Sequence, residues 1–210
     1  MTAAVVAGLL AGYGIAIPVG AVGAYLVAVT ARAGWRTGSG AALGVATADG
    51  VYALLAVAGG SALVPVLAPV MTPLRWASAV VLVVLAVRAG WGAVASYRTG
   101  GPASRDDGGA LTPGRAYLTF LGITILNPMT VIYFAALILA TGPSAPATPT
   151  DRSAFVLAAV VASASWQLFL ALGGTLLGRT LTGARGRLGT ALASSTLIVV
   201  LAVRLVVQGG

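Results

Sequence analysis

The chain predicts an all-α integral membrane protein: six transmembrane helices in two inverted three-helix repeats, with proline-broken helices 1 and 4. Three features lead there. Of the 210 residues, 59% are hydrophobic and only 8% charged, and mean hydropathy is +1.00. Soluble domains run at roughly 45–50% apolar and about 25% charged. Sixteen charged side chains cannot cover the surface of a soluble protein of this length, nor does so apolar a chain stay disordered. The apolar residues also gather into six runs, each near the roughly 20 residues that a crossing helix needs. Finally, landmarks of the first half recur in the second.

The charge-free stretch Thr2 to Ala31 holds the first span, Ala4 to Thr30. The second runs from Gly38 to Leu63 and contains a lone acid, Asp49. The third, Thr72 to Tyr97, contains Arg88. The fourth, fifth and sixth fall at Ala116 to Ala140, Ala154 to Leu177 and Leu188 to Val207. Breakers lie between them. Pro65, Pro69 and Pro73 follow the second span, Gly100, Gly101, Pro102 and Arg105 to Gly109 the third, and Pro143, Pro146 and Pro149 the fourth. The start, Met-Thr-Ala-Ala, has no basic region, so the first span is expected to stay as a helix and not to be cleaved as a signal peptide.

Arginine placement gives an orientation. The loops after spans one, three and five hold Arg32, Arg36, Arg98, Arg105, Arg115, Arg179, Arg185 and Arg187. The opposite side holds Arg75 and Arg152, with Arg204 near its edge. The richer side is expected in the cytoplasm and both termini outside, in a multi-pass protein of the cell (inner, cytoplasmic) membrane.

The hexapeptide Val-Val-Leu-Ala-Val-Arg occurs at Val83–Arg88 and again at Val199–Arg204, in spans three and six. Pro18 in span one and Pro128 in span four are 110 residues apart, and Arg88 and Arg204 are 116 apart. A three-helix unit used twice fits both offsets. An odd number of spans turns the second copy upside down, as in secondary transporters, whose substrates bind near the midplane between the halves. The chain is thus one transmembrane transporter domain, with repeat 1 at 1–98, a linker at 99–115 and repeat 2 at 116–210.

The same landmarks mark candidate functional residues. Pro18, between Gly14 and Gly20, removes a backbone donor and crowds the preceding turn. It either breaks the helix so that freed backbone groups face a substrate cavity, or merely kinks a packed helix. Asn127-Pro128 repeats the theme and adds a side-chain amide, fit to orient a carboxylate or amine or to hydrogen-bond another helix. Asp49 is the only acid inside an apolar span, where a charge costs roughly 2.5–3.5 kcal/mol at a helix centre on insertion scales. It is expected to bind an ammonium group or carry a proton; the alternative is an ion pair with Arg88 or Arg204 that locks helices. Arg204, near its helix end, is expected to snorkel to an interface, while the deeper Arg88 could meet Asp49 or a substrate carboxylate.

Span five carries Ser163, Trp166, Gln167 and Thr175. Positions 163, 167, 171 and 175 make a polar-small stripe that either lines a pathway or lets helices approach. The stripe Gly8, Gly12, Ala16, Gly20, Ala24 and Ala28 reads as packing, and Tyr13, Tyr25 and Tyr52 as packing aromatics.

The chain has no Lys, Glu, His or Cys. Thiol redox chemistry, disulfides, the usual zinc sites and a lysine-bearing phosphate loop are therefore excluded, and with the last, ATP-driven transport by this chain alone. No nucleophile–base pair suggests an enzyme, no cofactor is implied, and no basic face with interleaved aromatics suggests nucleic acid.

Several of these motifs, in order, resemble the LysE-type (lysine/homoserine exporter) amino-acid translocator family over nearly the whole chain. The family's Pro-x-Gly-Pro at the end of span one is matched by Pro18-Val19-Gly20-Ala21, followed by Gly34-Trp35-Arg36-Thr37-Gly38. Its glycine and acid five residues apart in span two are matched by Gly44 and Asp49. Its Leu-Asn-Pro-Lys is matched by Leu126-Asn127-Pro128-Met129, its span-five tryptophan by Trp166, and its arginine endings by Ala86-Val87-Arg88 and Ala202-Val203-Arg204. Ala21 stands where the second proline is usual. Met129 stands for the lysine and removes a cation near the site. The resemblance implies efflux of an amino acid or similar small metabolite, driven by protons or membrane potential. The expected partners are that small molecule and the lipid bilayer, with a homodimer as a candidate assembly. Competing readings are a metal or other ion exporter on a related fold, a membrane enzyme or electron carrier, and a membrane subunit without cargo.

Overall fold

Two breaks shape the bundle, and both sit at prolines. The structure, a computed structural model, describes residues 1–18, 20–59, 65, 68–98, 111–141, 148–180 and 184–207. The first span is two helices, α1 (Thr2–Ala16) and α2 (Ala21–Ala33), bent by 76° around Pro18. The fourth is likewise α5 (Pro113–Ile125) and α6 (Pro128–Thr141), bent by 60°. Between them lie α3 (Trp35–Gly59), a short 3-10 turn at Ala68–Val70 and α4 (Met71–Arg98). The chain ends in α7 (Pro149–Thr180) and α8 (Ala184–Val207).

The described residues are all-helical in their regular structure, with several apolar helices suited to crossing a bilayer. By length and composition three straight helices qualify: α3, the Thr72–Ala95 part of α4 and the Pro149–Gly178 part of α7. The bent pairs raise this to as many as 5, and α8 adds a shorter apolar stretch, Ala191–Arg204. Several helices begin earlier than hydropathy alone suggests. Polar first turns join them, as at Trp35-Arg36-Thr37 and Pro149-Thr150-Asp151. α5 starts at Pro113, so the last residues assigned to the linker are helical, with Thr112 as a side-chain cap. The Gly100–Gly109 segment, the end of the second span past Gly59, and Pro143 and Pro146 lie outside the described residues.

Small residues let the helices meet. A Cβ on Gly8 or Gly12 of α1 would run into the carbonyl oxygens of Phe155 and Ala159 on α7. Gly44 on α3 lies as close to the Tyr117 carbonyl of α5. The small stripe of span one is thus packing surface at its α1 end. In the core, Tyr25 of α2 stacks on Phe120 of α5 with ring centroids 5.0 Å apart.

Contacts also sort the two ends of the bundle. Thr37 donates to the Leu111 carbonyl across 3.1 Å, Gly40 abuts Pro113 and Gly178 abuts Ala31. This end therefore gathers Arg32, Arg36 and Arg115. The far end joins the Met1 amine to Asp151 at 2.9 Å.

α4 packs against α8, and the two copies of the hexapeptide share one burial pattern. Ala86 and Ala202 are both fully buried, and the residues just before the hexapeptides, Leu82 and Ile198, are each 1% exposed. Val84, Val87 and Arg88 are exposed, and so are Val200, Val203 and Arg204.

Candidate functional site

The second break is built from the pair Asn127-Pro128. Proline suits the first position of a helix, because its missing N–H would have no intrahelical partner there, and asparagine suits the cap before it. The Asn127 side-chain carbonyl accepts from the Met129 amide at 3.2 Å, and its main-chain carbonyl accepts from Thr130 at 3.1 Å. The carbonyl of Ile125, at the end of α5, takes the hydroxyl of Tyr52. Tyr52, which also stacks on Phe134, is therefore more than a packing aromatic. Half of the Asn127 amide, expected free to orient cargo, serves as a helix cap; its NH2 group keeps its donors.

The first break is more open. Gly20 precedes α2 in an extended conformation, φ −93 and ψ −166, and no side chain caps the helix. Proline at 18 cannot donate to the Gly14 carbonyl one turn back.

The two breaks meet at one cavity of about 440 Å³. Pro18 and Gly20 line it from one break and Asn127 from the other, with Asp49 of α3 and Gln167 of α7 between them. Pro128 is buried beside it. Pockets for small molecules span roughly 300–1,000 Å³, and this one falls within that range.

Asp49 is 3% exposed, and its Oδ2 accepts the hydroxyl of Ser163 at 2.6 Å. The ion pair with Arg88 or Arg204 is not formed. A serine hydroxyl 114 residues away in sequence takes that place, because α7 packs against α3 along this face.

The polar stripe on α7 divides. Gln167 lines the cavity and Ser163 reaches it only through its bond to Asp49, whereas Ala171 is core and Thr175 donates to the Ala171 carbonyl one turn back. Gln167 is 6% exposed and its Oε1 has no partner; the buried hydroxyl of Thr124, also on the cavity wall, has none either. An unsatisfied buried polar atom costs about 1–3 kcal/mol, which an occupant bearing donors would recover.

Arg88 is exposed and is not part of the cavity wall, while Arg204, also exposed near its helix end, lines it together with Leu201. Trp166 lies next to Gln167 but turns toward Phe169, with ring centroids 5.4 Å apart, and stays off the wall. Thr124, Thr130 and Tyr133 were not singled out by sequence. Thr124 and Thr130 each lie three residues from Asn127, which was the one available signal.

A helical, multi-pass chain with a cavity at two helix breaks, apolar over most of its wall but holding a buried acid and amide, has the form of a membrane transporter. The family model for the LysE type translocator matches residues 14–209. The chain belongs to that family, and is a membrane transporter by that membership. No curated protein and no solved structure matches it.

Proposed function

We propose that this chain is a secondary exporter of an amino acid or a similar small metabolite, coupled to the proton gradient or the membrane potential. The cavity where the two helix breaks converge on Asp49 carries this reading. Helix breaks at membrane depth persist where they line a site, and transporters place their cargo there. The matched burial of the two hexapeptides supports the inverted-repeat arrangement, with halves at 1–98 and 116–210.

In this scheme Asp49 is the coupling group. A buried carboxylate is stable when it holds either a proton or a cation. An ammonium group arriving from the cytoplasmic side displaces the proton inward. A proton arriving from outside then displaces the cargo outward. Ser163 holds the carboxylate toward the cavity. Pro18 keeps the first break open with Gly20 on the cavity wall beside it, and Pro128 and Asn127 hold the second in shape. Gln167 offers an acceptor. The protein resides in the cytoplasmic membrane with both termini outside.

Purified protein in vesicles tests the reading. Labelled amino acids and inorganic ions are loaded, and their loss is followed under an imposed pH gradient. Gradient-dependent loss of an amino acid is expected. Loss of ions alone, or of nothing, overturns the proposal.

A further inference from the structure

Arg204 is the cation on the cavity wall among the described residues. It follows Leu201 by three residues on α8, so the two share a face, and both line the cavity. Among the described residues it has no acidic partner. α2 packs against α8, and Gly20, Ala21, Val22 and Gly23 line the cavity too. These residues are the N-terminal turn of a 13-residue helix whose first amides have no side-chain cap. Free amides at the positive end of a helix dipole attract an anion, and a guanidinium beside them does so more strongly.

The rest of the wall has the opposite character. It carries the Asp49 carboxylate and the unpartnered Oε1 of Gln167, both more than nine-tenths buried. Among the described residues, Asp49 and Arg204 are the charged ones of the lining, one of each sign. Ile15, Leu82, Leu201 and Met129 supply apolar surface. Asp49 is buried while Arg204 lies at the cavity's exposed edge, so a second charge on the occupant's side chain would be set against the apolar wall with no partner, which is costly.

We propose that Arg204 and the open amides of α2 form a carboxylate-binding subsite, and that the cavity accepts α-amino acids without net charge. The carboxylate lies at Arg204, the ammonium toward Asp49 and Gln167, and an uncharged side chain against the apolar wall. The inference rests on the exporter reading and narrows its cargo.

The test is competition in vesicles containing the whole protein. Export of labelled alanine, threonine and leucine is measured against unlabelled alanine, alaninamide, ethylamine, lysine and glutamate. Alanine is expected to compete, and each of the other four to be about tenfold or more weaker, the loss of one charge-assisted contact. Arg204→Gln is expected to weaken alanine to the level of alaninamide. Arg88→Gln, at the matching place in the other hexapeptide but off the cavity wall, is expected to keep the wild-type ratio. A purely structural Arg204 would lower the transport rate without changing that ratio. If alaninamide or ethylamine competes as well as alanine, or lysine or glutamate does, or Arg204→Gln keeps the discrimination, the subsite is wrong and the exporter reading stands. If no amino acid is carried, both fall. Should Arg204→Gln fail to fold, the wild-type panel and Arg204→Lys, which keeps the charge and is expected to keep the preference for alanine, still decide.

Discussion

The hydroxyl of Ser163 donates to the carboxylate of Asp49 across 2.6 Å, in a region where both side chains are buried. This single contact ties α7 to the only acid inside an apolar span. If Ser163 acts through Asp49, its effect disappears when Asp49 cannot ionise. Ser163→Ala is expected to lower gradient-driven efflux several-fold, on the order of the 0.5–1.5 kcal/mol typical of a hydrogen bond. The double variant with Asp49→Asn is expected to behave as Asp49→Asn alone. Vesicle efflux rates for the four combinations check this, since coupled residues give non-additive changes.

Helix approach gives a prediction on stability. A Cβ on Gly12 would strike the Ala159 carbonyl and the Ala162 side chain, whereas one on Gly20 would meet nothing within 4 Å. Gly20 also has a φ of −93, which alanine adopts freely. Gly12→Ala is therefore expected to destabilise the protein by about 1–3 kcal/mol, as overpacking does. Gly20→Ala is expected to be near neutral. Thermal unfolding in detergent measures both.

The cap at Asn127 gives another. Its side-chain carbonyl holds the Met129 amide at 3.2 Å. Asn127→Ser keeps a capping oxygen and is expected to retain wild-type stability. Asn127→Ala is expected to lose about 1 kcal/mol, the usual worth of a cap. The same melting experiment separates them, and equal losses for both would remove the cap from the explanation.

Which parts of this site were legible follows from what each residue type does locally. A proline lacks its N–H wherever it sits, so Pro18 and Pro128 announced both breaks, and the bends of 76° and 60° fall there. A lone acid in an apolar run is conspicuous by its desolvation penalty alone, so Asp49 needed no tertiary knowledge. Partners and facing are different. Nothing local pairs Ser163 with Asp49, 114 residues apart. Arg88 and Arg204 end identical hexapeptides and are both exposed, yet of the two only Arg204 lines the cavity. That difference comes from how α8 and α4 lie against α2, and a hexapeptide does not encode it. Asn127 shows a third case. Asparagine before proline is a cap signature in water-soluble helices, and at membrane depth the same amide is also fit to meet cargo, so the sequence alone does not separate the two.

The arginine-rich end supplies a topology test. Arg32, Arg36 and Arg115 gather where Thr37 meets Leu111, and the Met1 amine and Asp151 lie at the far end. If the richer end is cytoplasmic, a cysteine introduced at Thr2 or Gln208 is labelled by an impermeant reagent from outside intact cells. One introduced at Arg36 or Arg115 is labelled only after the membrane is opened. The chain has no native cysteine to interfere. The reverse pattern would invert the orientation and, with it, the direction of proton movement assigned to Asp49.

Asp49→Asn tests that assignment most directly. Asparagine keeps the side chain's shape and can still accept from Ser163, so the contact between α3 and α7 survives. What it loses is the charge, and with it the exchange of a proton for an ammonium group. The variant is expected to insert and fold normally, which gel filtration and thermal unfolding check. Efflux against a concentration gradient, driven by pH, is expected to vanish. Exchange of labelled for unlabelled cargo at equal pH needs no net proton movement and is expected to persist, with weaker affinity from the lost ammonium contact. Retention of full pH-driven efflux would mean that another group carries the proton. Loss of folding by Asp49→Asn would make the carboxylate a structural element of the bundle. These outcomes are separable because the hydrogen bond to Ser163 depends on an acceptor oxygen, whereas coupling depends on a proton that can leave.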